Sequence, residues 1–136
     1  MKIHRTADDF LQDIVDWGER AARHASSLTR EQFMSDEKSQ DAVSKCISNV
    51  GEAANKALKL DPTIKGRFPE FEAEKAYAAR NVISHDYFAL DAAVLWATVR
   101  QSIPKFVTDA RRIIEARKNE LIEKNDILGP LENPKK

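Results

Sequence analysis

Cysteine is almost missing from this chain of 136 residues. Cys46 stands alone, which excludes an intrachain disulfide and a cysteine-built metal centre and fits a reducing compartment. Glycine is scarce too, with four residues, so low-complexity and linker-like readings fall away. Neither charge sign is in surplus: 22 Lys plus Arg face 22 Asp plus Glu, and the pI is about 6.8. A protein that grips nucleic acid with its whole surface needs a field of basic side chains, so phosphate binding here must be local. Long hydrophobic runs are also lacking. The most apolar window, Phe88 to Val99, is short and broken by Asp91, which is too little to span a bilayer. The stretch Met1 to Asp9 turns acidic where a secretory leader requires its apolar segment. These absences predict a cytoplasmic protein without membrane attachment.

What remains, 42% hydrophobic and 32% charged residues, is the composition of a folded chain with one core. Its apolar residues recur at helical spacing. Thr6 and Asp9 form a capping-box pattern, followed by Phe10, Ile14, Trp17 and Ala21 on one stripe to about His24. Thr29 and Gln32 form another such pattern, and Ser35 before Asp36-Glu37 is placed to cap a long helix. That helix carries Val43, Cys46, Ile47, Val50, Ala53, Ala54 and Ala57 down to Leu60. Gly51 within it costs helix stability and therefore marks a close approach of a second helix.

Asp61 to Pro69 reads as a loop, and Ala73, Ala76, Tyr77, Ala79 and Ile83 as a further helix. A last helix starts near Asp91 and keeps its stripe to Ile114, with Pro104 predicted to kink or split it. No window alternates with the two-residue period of a half-buried strand. The expected fold is all-α, an up-and-down bundle of four to five helices over residues 1–120, with a polar, flexible tail over 121–136.

The run Arg80-Asn81-Val82-Ile83-Ser84-His85-Asp86-Tyr87 crowds six polar groups beside apolar helix, the local inconsistency expected at a working site. On an ideal helix Arg80 and His85, five apart, point about 140° away from each other. They meet only if the helix is distorted, if Arg80 bends round, or if two copies share the site across a twofold axis. An Arg with a His suits cleavage of an RNA phosphodiester. The substrate brings its own 2′-hydroxyl, imidazole moves the proton, and the guanidinium holds the phosphate oxygens, with no metal or cofactor required. The plain alternative is an Arg80–Asp86 surface pair beside a helix-capping His85.

The same run resembles the Arg-Asn-x-x-x-His-x-Tyr signature of HepT-like proteins, a branch of the HEPN superfamily. The resemblance extends over about Phe10 to Arg117. It includes Ile47-Ser48-Asn49-Val50-Gly51-Glu52-Ala53 on the second long helix and Leu95-Trp96 before Pro104. The frequent Pro-Trp pair ahead of the motif is replaced by Glu72-Ala73. The resemblance implies a HEPN-like, homodimeric, metal-independent ribonuclease toxin whose partner is a minimal nucleotidyltransferase antitoxin. It implies catalytic roles for Arg80 and His85 and supporting roles for Asn81, Glu52 and Asp86. Tyr87 would be the residue that the antitoxin modifies with AMP. The competing expectation is a non-catalytic HEPN dimer that holds a nucleotide or a partner protein in the same cleft. His4 and His24 have no companions at metal-ligand spacing, and Trp17 and Trp96 lie on apolar stripes, as core or dimer contacts do.

Overall fold

A computed structural model describes the backbone of residues 4–85 and 91–132, and the side chains of residues 4–84 and 91–125. The described residues are all-α: α1 (Ala7–Ser26), α2 (Arg30–Met34), α3 (Glu37–Leu60), α4 (Thr63–Arg67), α5 (Ala73–His85), α6 (Ala92–Ala97) and α7 (Ile103–Glu132). A π-helical turn, Thr98–Ser102, joins α6 to α7. Four main helical segments, α1, α3, α5 and the α6–α7 unit, form the bundle, and α2 and α4 are short connecting turns. No described helix is long and apolar enough to cross a membrane.

The helix starts follow from side-chain chemistry. In α1 the Asp9 amide donates to Thr6 Oγ1 at 3.1 Å while the Thr6 amide donates to Asp9 Oδ2 at 2.9 Å. Thr29 and Gln32 repeat that reciprocal box at α2, so two of the amides left free at each helix start are satisfied. At α3 the cap is Asp36, which accepts from the Ser39 amide; Ser35 instead closes α2, its hydroxyl donating to the Gln32 carbonyl at 3.2 Å. The carboxylate wins because it accepts a charge-assisted bond and faces the positive end of the helix dipole. Asp91 caps α6, accepting from the Ala93 amide at 2.8 Å.

Pro104 does break the last helix, by a specific device. Its missing N–H and bulky ring disturb the preceding turn, and the chain responds with the wide turn Thr98–Ser102. One expectation needs correcting. The segment Asp61–Pro69 is not wholly loop, since Thr63–Arg67 makes the one-turn helix α4 and buries Ile64 completely. The backbone of α7 is helical through Glu132.

The core lies between α1, α3 and α7. Leu11, Ile14, Phe33, Val43, Val50, Ile64, Val99 and Ile113 are all but fully buried in it, and truncating one of the larger aliphatic side chains to Ala costs roughly 2–5 kcal/mol. Helix α1 runs antiparallel to α7, as two ion pairs at different heights require: Glu19 with Arg111 and Asp8 with Arg117. At Gly18 the two helices touch so closely that an added Cβ would lie 2.3 Å from Val107 Cγ2. Helix α5 packs chiefly on α3, and the rings of Phe71, just before it, and Phe106 on α7 stack at 4.6 Å.

Arg117 ties three elements together, pairing with Asp8 at the start of α1 and with Asp61 at the end of α3. Hydrogen bonds from Thr63 and then from Arg117 hold the Asp61 carboxyl below the usual carboxylate range. A depressed native pKa stabilises the fold above the unfolded value, near 4, and that stabilisation is lost as pH falls through the native value. The urea midpoint is therefore expected to hold level between about pH 5 and 8 and to fall below about pH 4. Asp61→Asn should lower it at neutral pH and flatten the acid limb. An unchanged limb in that variant would remove Asp61 from the account.

Candidate functional site

Helix α5 carries the motif, and what seats it is Gly51 on α3. A Cβ at that position would stand 2.4 Å from the Ala76 carbonyl oxygen and 2.6 Å from Arg80 Cβ, so only glycine admits α5 at this distance. The close-approach reading of Gly51 is met, and the helix it admits is the one bearing Arg80. The next residue on α3, Glu52, thereby comes within reach: its Oε2 lies 3.1 Å from Arg80 Nε. Arg80 Nη1 donates to Asn81 Oδ1 at 3.0 Å, and the guanidinium carbon stands 5.8 Å from the centre of the Tyr77 ring. Carboxylate, amide and ring hold a cation whose side chain is still 30% exposed. A flexible side chain fixed this way has given up most of its rotamer freedom before any ligand arrives.

Among the candidates, the structure brings together Arg80, Asn81 and Glu52. His85 closes α5, which is regular α-helix from Ala73 to His85, so helix distortion does not bring it towards Arg80. The side chain of His85 lies outside the described atoms, and Asp86 and Tyr87 lie outside the described residues. Two neighbours of Arg80 went unread in the sequence. Tyr77 is one turn before Arg80 on the same helix, and Lys56, one turn after Glu52, has its Nζ 4.0 Å from Glu52 Oε1. Spacings of three and four were the available signal for both.

A concavity of about 380 Å³ opens between α5 and the π-turn with α7, over a floor of Ile47, Val50, Ala79 and Phe106. Arg80 does not line it. Val82 on α5 and Val94 on α6 are 61% and 60% exposed.

The family described as ribonuclease HepT-like matches residues 10–113, which contain α5 and every candidate residue. The chain belongs to that family. It is 31% identical over 102 residues to a protein of Thermococcus cleftensis named "Probable ribonuclease HepT", covering 75% of this chain and 90% of that one. Two Methanocaldococcus jannaschii proteins given RNase names are each 26% identical over 106 residues, with 78% of this chain covered and 85% and 89% of theirs. No solved structure matches this HepT-like chain.

Gly51→Ala sets a propensity gain of up to about 1 kcal/mol against an overpacked contact with backbone, which costs about 1–3 kcal/mol. The contact wins, because a carbonyl oxygen in a helix cannot swing aside. Net destabilisation of about 1–2 kcal/mol by urea titration is expected. A more stable variant would mean that α5 does not sit against Gly51.

Proposed function

We propose that this protein is a metal-independent endoribonuclease acting as a homodimeric toxin in the cytoplasm, neutralised by a minimal nucleotidyltransferase antitoxin in a type VII-like pair. The observation that carries the reading is Arg80, a cation fixed by Glu52 and Asn81 yet open to solvent, within a chain of the HepT-like family. The names of its relatives, ribonuclease and RNase, support RNA as the substrate.

In this reading the RNA 2′-oxygen attacks the neighbouring phosphorus as the His85 imidazole takes its proton. The bond from phosphorus to the 5′-oxygen breaks, the proton returns to that oxygen, and a cyclic phosphate remains on the other fragment. Arg80 neutralises the non-bridging oxygens as their charge grows. Positions 80 and 85 are five apart on a regular helix and so fall on different flanks, which favours a cleft shared by Arg80 of one chain and His85 of the partner subunit. Exposed Val82 and Val94 give that pairing apolar surface to bury. Asp86 supports the site from the residue after His85.

A non-catalytic dimer that holds a nucleotide or a partner protein in the same cleft is the second reading. It is favoured by the pairing of Arg80 with Glu52, which reduces the charge presented to a phosphate. Cleavage separates the two. Purified protein should cut RNA in excess chelator and leave cyclic phosphate ends. Arg80→Ala and His85→Ala should each lower the rate by at least about 100-fold, with helical circular dichroism retained. A cut that requires added divalent metal, or persists in both variants, would exclude this mechanism.

Tyr87, two residues beyond His85, is proposed as the AMP acceptor. An attached AMP brings a phosphate that competes for Arg80 and blocks the cleft. Co-expression with the cognate nucleotidyltransferase should raise the mass of the chain by whole AMP units, and Tyr87→Phe should prevent it. An adduct on Tyr77 instead would reassign the regulated position.

A further inference from the structure

Ion pairs on this surface mostly match one cation to at least one carboxylate. Arg5 is held by both oxygens of Asp13, at 2.7 and 2.9 Å, and Lys75 pairs with Glu72 at 3.4 Å. Arg117 has two carboxylates to itself. Glu52 is different: one carboxylate stands between two cations, Arg80 at 3.1 Å and Lys56 at 4.0 Å. The trio carries one positive charge more than it can neutralise internally. Asp109 is also shared, by Lys105 and Arg112, but Glu70 adds negative charge around Lys105 and offsets that excess.

The surplus beside Glu52 belongs to Lys56. Arg80 has the shorter contact with the carboxylate and is held further by Asn81 and Tyr77, whereas the Lys56 pair is at the outer limit of an ion pair. The Lys56 side chain is 51% exposed, and its ammonium stands 5.6 Å from the centre of the Phe10 ring. An aromatic face keeps a cation in place without neutralising it.

We propose that Lys56 is a second phosphate-binding residue of the Arg80 site, taking a backbone phosphate of single-stranded RNA beside the one held by Arg80, with Glu52 as the carboxylate that this phosphate displaces. The proposal rests on the ribonuclease reading. It places the RNA strand across α3, from α5 towards the start of α1. Glu52 then has two tasks: in the free protein it keeps Arg80 extended and Lys56 near, and it sets a threshold that a lone anion meets less readily than a strand presenting neighbouring phosphates.

The test is the salt dependence of binding a fluorescent single-stranded RNA by the full-length protein, made non-cleaving by a 2′-deoxy substitution at the scissile position. Each phosphate contact on a single strand contributes about 0.7 to the slope of log affinity against log salt. Lys56→Gln should lower the slope by about that amount and weaken binding about fourfold at 0.15 M salt, the same slope carried down from 1 M. Lys56→Arg should restore both. Glu52→Gln should tighten binding, since Arg80 keeps Asn81 and Tyr77; weaker binding in that variant would show Glu52 to be only a holder of Arg80 and overturn its displacement. An unchanged slope in Lys56→Gln, with wild-type protein still cleaving RNA, would overturn the proposal alone. No binding and no cleavage by wild-type protein would overturn it together with the ribonuclease reading.

Discussion

The distance between α3 and α5 is the constraint on which the site depends, and it is set by the absence of one methyl group. With glycine at position 51, the Ala76 carbonyl and the Arg80 Cβ occupy space that any other residue would claim. Close packing then gives Glu52 its reach to Arg80, Arg80 a fixed direction, and the bundle a polar corner next to its core. Electrostatics alone would not do this, because a solvent-exposed ion pair contributes little and is held loosely. Here packing comes first and the charges are arranged on it.

The fold also separates the parts that must be rigid from the part that must be open. α1, α3 and α7 carry most of the buried side chains, while α5 leans on α3 with one side largely uncovered. Such an arrangement leaves the motif helix free to take a partner surface without disturbing the core. The weak amphipathicity of α5, with alanines and polar residues spread round it, fits a helix that one neighbour covers incompletely.

Much of this was legible in the sequence, for reasons that can be named. Capping boxes at Thr6 and Thr29, the Asp91 cap and the break before Pro104 are local chemistry, and local chemistry survives folding. Gly51 was legible because glycine inside a long helix demands a reason. The choice between Ser35 and Asp36 was not, since both are good caps and the hydrogen bond to Ser39 decides it. Nor was α4, whose single turn is fixed by burying Ile64 rather than by periodicity. At the site, Arg80, Asn81 and Glu52 could be named from pattern and resemblance. The roles of Tyr77 and Lys56 depend on which flank of each helix faces its neighbour, and a linear motif does not carry that angle.

The π-turn before α7 has a consequence for which changes in chain length this protein tolerates. Leu95, Val99 and Ile103 are all buried at successive intervals of four, a spacing that drifts round an ordinary helix but stays in phase where the turn is wider. The turn thus accommodates one residue more than a regular helix needs. Deleting a single residue there would restore regular winding and leave Ile113 and Arg117 in phase, whereas adding one would rotate everything downstream by about 100°, carrying Ile113 out of the core and Arg117 away from Asp8 and Asp61. Insertions near Gly66, where an added side chain would meet open space, meet no such phase requirement. For evolution and for engineering alike, the stretch between Leu95 and Ile113 can give up its one spare residue but cannot gain another, and the connection near Gly66 is the adjustable one.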